Sequence, residues 1–493
     1  MWRSGLAAIA VICGSQPALA QQLSVTAPWA GWSRPGASSE LDIEFAAIDE
    51  PSGQLRIVAR GAAGNVSANV AFSRGRASRV RLAVPAQGGL DIEAIIAGGR
   101  TLRARQDFKS AERPVLAWVD AGLGATVAPP ATAGLRIESL QPADLPRLAA
   151  SYSSIAGLVI TGAALAELDD AQLLALLAQI RRCGFVFLAA RVPQAQAVLQ
   201  QAAGCGGRNL VLAASVPDAA QLAQAFAAQP ISPGPAGDQI RALGADARQL
   251  AVLAALLLAY GIVALLLLTS TARLRWLLAM PLLASGGILI GLFAIPLETS
   301  LIVWAETGGR DANAQYTALL QVRSAAPGVR SVDLPPVLGN AGFSLPGKGN
   351  SLRWDPLTER MVGAELRTQL LTESSLQFNG SFPIAGAATV TAAANNRLIL
   401  RNARTAALPK AWLLYRGRQY AIANVGPLGQ VAVDISTGQP PTDRAQRLAA
   451  ERLAYDEAGV LLVLDLSGMR GPDSPPIDNG WLLIRQPLTR AVL

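Results

Sequence analysis

The chain has 493 residues, of which 51% are hydrophobic and 15% are charged, and its formal net charge is +8. A soluble protein usually carries about 25% charged residues, so the composition excludes a disordered chain and indicates that part of the chain lies in lipid. The sequence contains no histidine, which excludes a Ser-His-Asp triad, a histidine-paired cysteine nucleophile and a histidine-ligated metal.

The N-terminus is predicted to be a signal peptide over residues 1–20. Arg3 supplies a short basic region, residues 6–13 are apolar, and residues 18–20 read Ala-Leu-Ala, a small-x-small cleavage site. The apolar run is too short to cross a bilayer. We therefore expect the mature chain outside the cytoplasm.

Residues 22–112 are predicted to form an antiparallel β-sandwich. Runs such as Leu41–Phe45 and Leu55–Ala59 alternate apolar and polar side chains, and turn-forming residues separate the runs. The segment holds no catalytic set of residues, which favours a binding or spacing role.

Residues 113–235 are predicted to form an α/β domain with a parallel sheet. Apolar strands at 114–119, 157–161 and 185–189 alternate with helical segments, of which 164–182 is strongly amphipathic. Short connections between these segments favour helices on both faces of the sheet.

Ligands of such sheets bind beyond the carboxyl ends of the strands, where Asp120 and Thr161 lie. These two residues are the candidate ligand site, and the alternative is that they serve only as turn and cap residues. Cys183 and Cys205 each precede a strand at the opposite edge of the sheet. If those strands are neighbours, a disulfide would stabilise the domain by about 3 kcal/mol, whereas two buried free thiols are the alternative. The pattern indicates no catalytic, cofactor-binding or metal-ligating residues.

Two uncharged segments, residues 249–269 and 276–297, are predicted transmembrane helices. About 20 residues cover the roughly 30 Å hydrocarbon core of a bilayer. The loop between them contains Arg273 and Arg275 without a neighbouring acid, so it is expected in the cytoplasm. Both large flanking regions are then expected in the periplasm.

Residues 298–493 are predicted to form a β-rich periplasmic domain of the β-sandwich type. Strand patterns extend from Leu301–Ala305 to Val460–Leu464, and one helix is predicted over residues 442–457. Residues 327–358 are rich in glycine, proline and asparagine and are predicted to be long loops.

Three stretches carry a resemblance to a known family: YSSIAGLVIT at 152–161, LRNARTAALPKA at 400–411 and GWL at 480–482. With the order of parts, they resemble a family of uncharacterised bacterial inner-membrane proteins. In that family a periplasmic class I glutamine-amidotransferase-like domain lies between β-sandwich domains. The resemblance implies a flavodoxin-like or amidotransferase-like sheet. It does not imply the activity, because Cys183 precedes its strand whereas the amidotransferase nucleophile follows one.

The expected fold class is a multidomain α+β membrane protein with two β-sandwiches, an α/β domain and a two-helix transmembrane hairpin. The expected function is a non-enzymatic, inner-membrane-anchored periplasmic protein that binds or scaffolds an envelope partner in envelope assembly or maintenance. Its partners would be the lipid bilayer and another inner-membrane or periplasmic protein. Scattered arginines exclude nucleic acid as a partner, and no cofactor is expected.

Two alternative functions stay open. One is a periplasmic hydrolase or binding component that acts on envelope glycans, but hydrolysis needs two carboxylates about 5–10 Å apart across a cleft. Asp169 and Asp170 are adjacent within the predicted helix 164–182 and are expected to be solvated. The other alternative is a ligand sensor that signals through a membrane partner, which the six-residue cytoplasmic turn disfavours.

Overall fold

The structure is a computed structural model of the chain. It describes residues 23–34, 36–45, 52–96, 100–110, 112–121, 134–182, 184–189, 199, 209–215, 217–227, 298–306, 313–324, 328–334, 338–344, 349–368, 372–383, 388–393, 396–402, 407–408, 411–422, 424–441, 459–465, 479–487 and 489–490.

The N-terminal part consists of short strands, and in several of them buried and more exposed positions alternate. The strands are β1 (Leu23–Thr26), β2 (Trp32–Ser33), β3 (Ser38–Phe45), β4 (Gly53–Gly61), β5 (Gly64–Phe72), β6 (Ser78–Pro85), β7 (Gly89–Ile96), β8 (Thr101–Asp107) and β9 (Lys109–Ser110). In β5 every second residue from Val66 to Phe72 is buried, as the period of two requires. Strands β1, β3 and β6 form a three-stranded antiparallel sheet.

The α/β part contains a five-stranded sheet in which all strands are parallel. Its elements are β10 (Val115–Val119), β11 (Arg136–Leu140), β12 (Gly157–Thr161), β13 (Phe185–Ala189), β14 (Leu210–Ala213), α1 (Gly162–Ala166), α2 (Asp170–Arg181) and α3 (Ala219–Ala227). The strand order is β11-β10-β12-β13-β14. Strands β10 and β13 are buried at every position, because Leu176 and Ile180 of α2 pack on one face and Leu222 of α3 on the other.

The C-terminal part is built almost entirely of strands. These are β15 (Glu298–Glu306), β16 (Asn313–Ser324), β17 (Gly328–Asp333), β18 (Gly342–Ser344), β19 (Ser351–Asp355), β20 (Arg360–Thr368), β21 (Thr372–Pro383), β22 (Ala388–Ala393), β23 (Arg397–Asn402), β24 (Ala411–Tyr415), β25 (Arg418–Ile422), β26 (Gln430–Asp434), β27 (Gly459–Asp465), β28 (Asn479–Pro487) and β29 (Thr489–Arg490). An eight-stranded sheet has the order β18-β21-β16-β15-β28-β27-β24-β25, and a four-stranded sheet has the order β26-β23-β22-β29.

A seven-stranded sheet joins the two ends of the chain, with the order β17-β20-β19-β5-β4-β7-β8. Strands β5 and β19 pair in parallel at its centre, with Asn65 opposite Ser351 and Val66 opposite Leu352. One hydrophobic core contains side chains from both ends of the chain, including Leu41, Val66, Leu352, Leu376 and Leu413. The β-strands therefore form a β-sandwich-like arrangement to which both ends contribute.

The predicted fold class, a multidomain α+β membrane protein with separate β-sandwiches and a transmembrane hairpin, is wrong. The described residues are mostly β-strand, and the two expected sandwiches share a sheet and a core. The physical reason is that β4 covers only one edge of β5. The backbone groups of the other edge need partners, and β19 supplies them.

The prediction of loops over residues 327–358 is also wrong. Strands β17, β18 and β19 lie within that segment. They are short, and distant partners hold them: β18 pairs with β21, β17 pairs with β20, and β19 pairs with β5. The local composition of these three segments therefore does not indicate that they are strands.

Several predictions fall outside the described residues: the signal peptide at 1–20, the spans at 249–269 and 276–297, and the helix at 442–457. Among the residues that the structure describes, no helix combines the length and the apolar character needed to cross a bilayer.

Candidate functional site

The carboxyl edge of the parallel sheet is where the sequence places the candidate ligand site. The chain leaves β10 to form β11 on one side, and β12 then pairs with the opposite side of β10. The strand order thus reverses between β10 and β12. In open α/β sheets, ligands bind in the crevice at such a switch point.

Asp120 directly follows β10, and Thr161 is the last residue of β12. The two residues therefore meet at this switch point. Thr161 Oγ1 donates a hydrogen bond of 2.9 Å to Asp120 Oδ1, which also accepts the N–H of Ala121 at 2.9 Å. Both residues are half-buried. Two sequence-predicted candidates 41 residues apart are therefore in direct contact.

Thr161 also caps α1, since its Oγ1 accepts the backbone N–H of Ala164 at 3.3 Å. The hydroxyl is thus engaged both as donor and as acceptor. Within the described residues, no donor contacts the second carboxylate oxygen of Asp120. The pair consequently offers a positioned acceptor oxygen that suits a hydroxyl, amide or ammonium donor on a ligand.

Cys183 and Cys205 both lie outside the described residues. The strands that follow them, β13 and β14, are parallel neighbours, with Val186 opposite Leu210. This is the arrangement that the disulfide hypothesis requires. The bridge itself stays a prediction.

Asp169 has a structural role that differs from the predicted one. The predicted helix 164–182 is divided into α1 and α2, and Asp169 is the N-cap of α2. Its carboxylate accepts the N–H of Gln172 at 2.8 Å and a hydrogen bond from Arg147 Nε at 2.7 Å. The Gln172 side chain accepts the N–H of Asp169 in return, which completes a capping box. Asp-x-x-Gln is the sequence signal that indicates this helix start.

A second cluster of ionisable groups surrounds Glu40, which sequence reasoning missed. Glu40 is only 3% exposed, and its Oε2 accepts the backbone N–H groups of Arg147 at 2.8 Å and Leu148 at 2.7 Å. Arg81 Nε lies 4.0 Å from Oε1, and Arg81 also donates to Glu359 at 3.0 Å. Glu40 therefore links β3 to the α/β part, and Arg81 links it onward to the C-terminal part.

Burial raises the pKa of Glu40 from its ordinary value of 4.5 to about 7. The two backbone hydrogen bonds and the charge of Arg81 oppose this rise but do not cancel it. Tyr152 beside it is fully buried, and its hydroxyl has no hydrogen-bond partner within the described residues. Its pKa is also raised well above the ordinary range, first by burial and then by the charge of Glu40.

The alternation of residues in β3 explains why the sequence did not predict a buried Glu40. Leu41, Ile43 and Phe45 point to the core, so Glu40 belongs to the face that the period of two assigns to solvent. The segment around Arg147 and Leu148 covers that face in the fold. Only a tertiary contact over 107 residues buries the carboxyl group.

Two concavities flank the turn at residues 355–360, which joins β19 to β20. One of about 220 Å³ lies between this turn, α2 and residues 147–150, and Trp354 and Glu359 contribute to its lining. The other, of about 360 Å³, lies between the turn and β6. Leu357 at the tip of the turn is 92% exposed. The Glu40 cluster therefore touches both walls of the first concavity, through Leu148 and through Glu359.

Comparisons with known proteins give no family. No family model matches the chain, and no curated protein matches it. A similar solved structure is the yeast delta-COP-I mu-homology domain complexed with a Dsl1 WxWxV peptide, which is 7% identical. That match covers 39% of this chain and 95% of the other, with a TM-score of 0.20, which is too low to support an argument.

Proposed function

We propose that this chain is a non-enzymatic protein of the bacterial envelope that binds or scaffolds a partner. We further propose that the partner contacts the carboxyl edge of the parallel sheet around Asp120 and Thr161. The supporting observation is the 2.9 Å hydrogen bond between these two residues at the point where the strand order reverses.

A binding role fits the way in which the two polar groups are used. Thr161 Oγ1 donates to Asp120 and accepts from Ala164, so the hydroxyl is held in one orientation. It positions the carboxylate, whose second oxygen is contacted by no donor among the described residues and suits a donor group of a partner. A partner rich in hydroxyl or amide groups, such as an envelope polymer or a periplasmic or inner-membrane protein, has the matching chemistry.

The envelope location depends on the predicted signal peptide at residues 1–20. A basic residue, a short apolar run and a small-x-small site are features of an exported chain. Export would place Asp120 and Thr161 in the periplasm. Cell fractionation with a reporter fused at Leu493 tests this location directly.

The binding site is tested by photo-crosslinking in cells. A benzoylphenylalanine placed at Ala121 should form an adduct with one partner, and Asp120→Asn should reduce the adduct yield at least fivefold. Asp170→Asn is the matched control, because Asp170 is an exposed acid at the start of α2 and should leave the yield unchanged. Equal yields in the two variants would contradict the proposed site.

The non-enzymatic assignment has a separate test. The purified full-length chain should not turn over ester, amide or glycosidic substrates. Turnover that Asp120→Asn abolishes and Asp170→Asn preserves would show that the same edge is an active site.

A further inference from the structure

We propose that Glu40 is a pH-sensitive latch at the junction of the β-sandwich and the α/β part. With its carboxyl group neutral, residues 147–150 and the turn at 355–360 stay closed against β3 and β6. When the carboxyl group ionises, the junction opens. This inference concerns a different region from the proposed partner site and does not depend on it.

Glu40 contacts one side of the junction directly and is connected to the other side through Arg81. Its Oε2 accepts the two backbone N–H groups of Arg147 and Leu148, and its Oε1 faces Arg81. Arg81 in turn binds Glu359 in the turn between β19 and β20. The 220 Å³ concavity lies between these two segments, so a movement at Glu40 would change its shape.

Burial, rather than the charges around it, favours the neutral form of Glu40, because Arg81 and the two backbone N–H groups compensate a buried carboxylate only in part. Arg81 lies 4.0 Å from the carboxyl group and is shared with Glu359, which is closer to it at 3.0 Å. A neutral carboxyl group still accepts both backbone N–H groups through its carbonyl oxygen. A buried carboxylate without a dedicated cation, by contrast, carries a large desolvation cost.

Two other arginines near Glu40 form ion pairs with other carboxylates. Arg79 on β6 binds Asp42 on β3 at 2.6 Å, and Arg147 binds Asp169 at 2.7 Å. The buried Tyr152 in the α/β part is also close enough to Glu40 for the charge of Glu40 to raise its pKa. Among the residues that the structure describes, the charged and titratable groups around Glu40 on the elements packed against it are Asp42, Arg79, Arg81, Arg147, Tyr152, Asp169 and Glu359.

The sign of the pH dependence follows from the two states of the junction. In the closed state the pKa of Glu40 is about 7, whereas a solvated glutamate has its ordinary value of 4.5. Protonation therefore favours the closed state, and this contribution is complete below pH 4.5. Opening should increase by roughly two orders of magnitude as the pH rises from 4.5 to 7, and it should level off above pH 7.

Hydrogen–deuterium exchange of the full-length chain tests the latch. After correction for the intrinsic pH dependence of exchange, peptides covering residues 145–150 and 355–360 should lose at least tenfold protection between pH 5 and pH 8. A peptide from the core strand β4 should show no such change. Glu40→Gln should remove the pH dependence, because glutamine is neutral at both pH values and its amide oxygen still accepts the N–H groups.

Glu44→Gln is the matched control, since Glu44 lies on the same face of β3 but is exposed. That variant should keep the wild-type pH dependence. Protection that is constant or that increases with pH in the wild-type chain would overturn the proposal. So would a pH dependence that persists in Glu40→Gln, or a loss that extends equally to β4.

Discussion

Acidic residues of this chain take different roles according to what surrounds them. Asp120 accepts from Thr161 at the edge of the sheet, whereas Glu40 is buried beneath a backbone segment. Asp169 caps a helix and binds Arg147. The sequence placed Asp120 correctly beyond a strand, because strand ends follow from local apolar runs. It could not identify Glu40, since burial of that residue depends on a segment more than 100 residues away.

At this scale we predict the effect of removing a helix cap. Asp169→Ala should lower the stability of α2 by about 1 kcal/mol, because two hydrogen bonds to the carboxylate are lost. Hydrogen exchange in α2 should then become roughly fivefold faster. Asp170→Ala, which alters the neighbouring exposed acid, should change exchange by less than twofold, and an equal effect of both variants would contradict the cap.

The cap also has a pH dependence. Burial alone would raise the pKa of Asp169, but the hydrogen bonds from Gln172 and Arg147 outweigh it and lower the pKa below the ordinary 3.8. The stabilisation is therefore present above pH 3.8 and is lost as the pH falls through the lowered value. The wild-type advantage over Asp169→Ala should shrink correspondingly in acid.

At the scale of elements, local pattern predicted strands better than helix ends. Period-two alternation indicated β3 and β4, and continuous apolar runs indicated β10, β12 and β13. The pattern of 164–182 was continuous enough to suggest one helix, yet the capping box at Asp169 and Gln172 starts a new one. Strands β17 to β19 were missed because their partners, not their composition, hold them.

Substitution of a glycine in the parallel sheet tests how closely the side chains of neighbouring strands pack around it. A Cβ atom at Gly157 in β12 would lie 2.7 Å from Phe185 and 3.0 Å from Leu116. Gly157→Ala should therefore lower the unfolding free energy by about 1–3 kcal/mol through overpacking. Gly328→Ala is the control, because nothing lies within 4 Å of the added atom. Chemical denaturation followed by tryptophan fluorescence measures both, and equal midpoints would contradict the packing.

At the scale of the molecule, residues from both ends of the chain build one sheet and one core. Asn65 and Ser351 are neighbours in the sheet although 286 positions separate them in the sequence. Alternation predicts which face of a strand is buried, but it does not specify a partner strand. The prediction of two independent sandwiches failed for this reason. Val66 and Leu352 instead belong to the same core.

The most direct test of this architecture is a disulfide between β5 and β19. Asn65→Cys and Ser351→Cys occupy paired positions, where a parallel ladder brings Cα atoms to about 5 Å and permits a bridge. Asn65→Cys with Ser331→Cys is the control, because Ser331 lies three strands away in the same row, at about 14 Å. Mild oxidation of the folded chain followed by peptide mapping should show the 65–351 bridge in the first variant and no 65–331 bridge in the second. Absence of the 65–351 bridge, with both thiols still free, would contradict a sheet shared by the two ends of the chain.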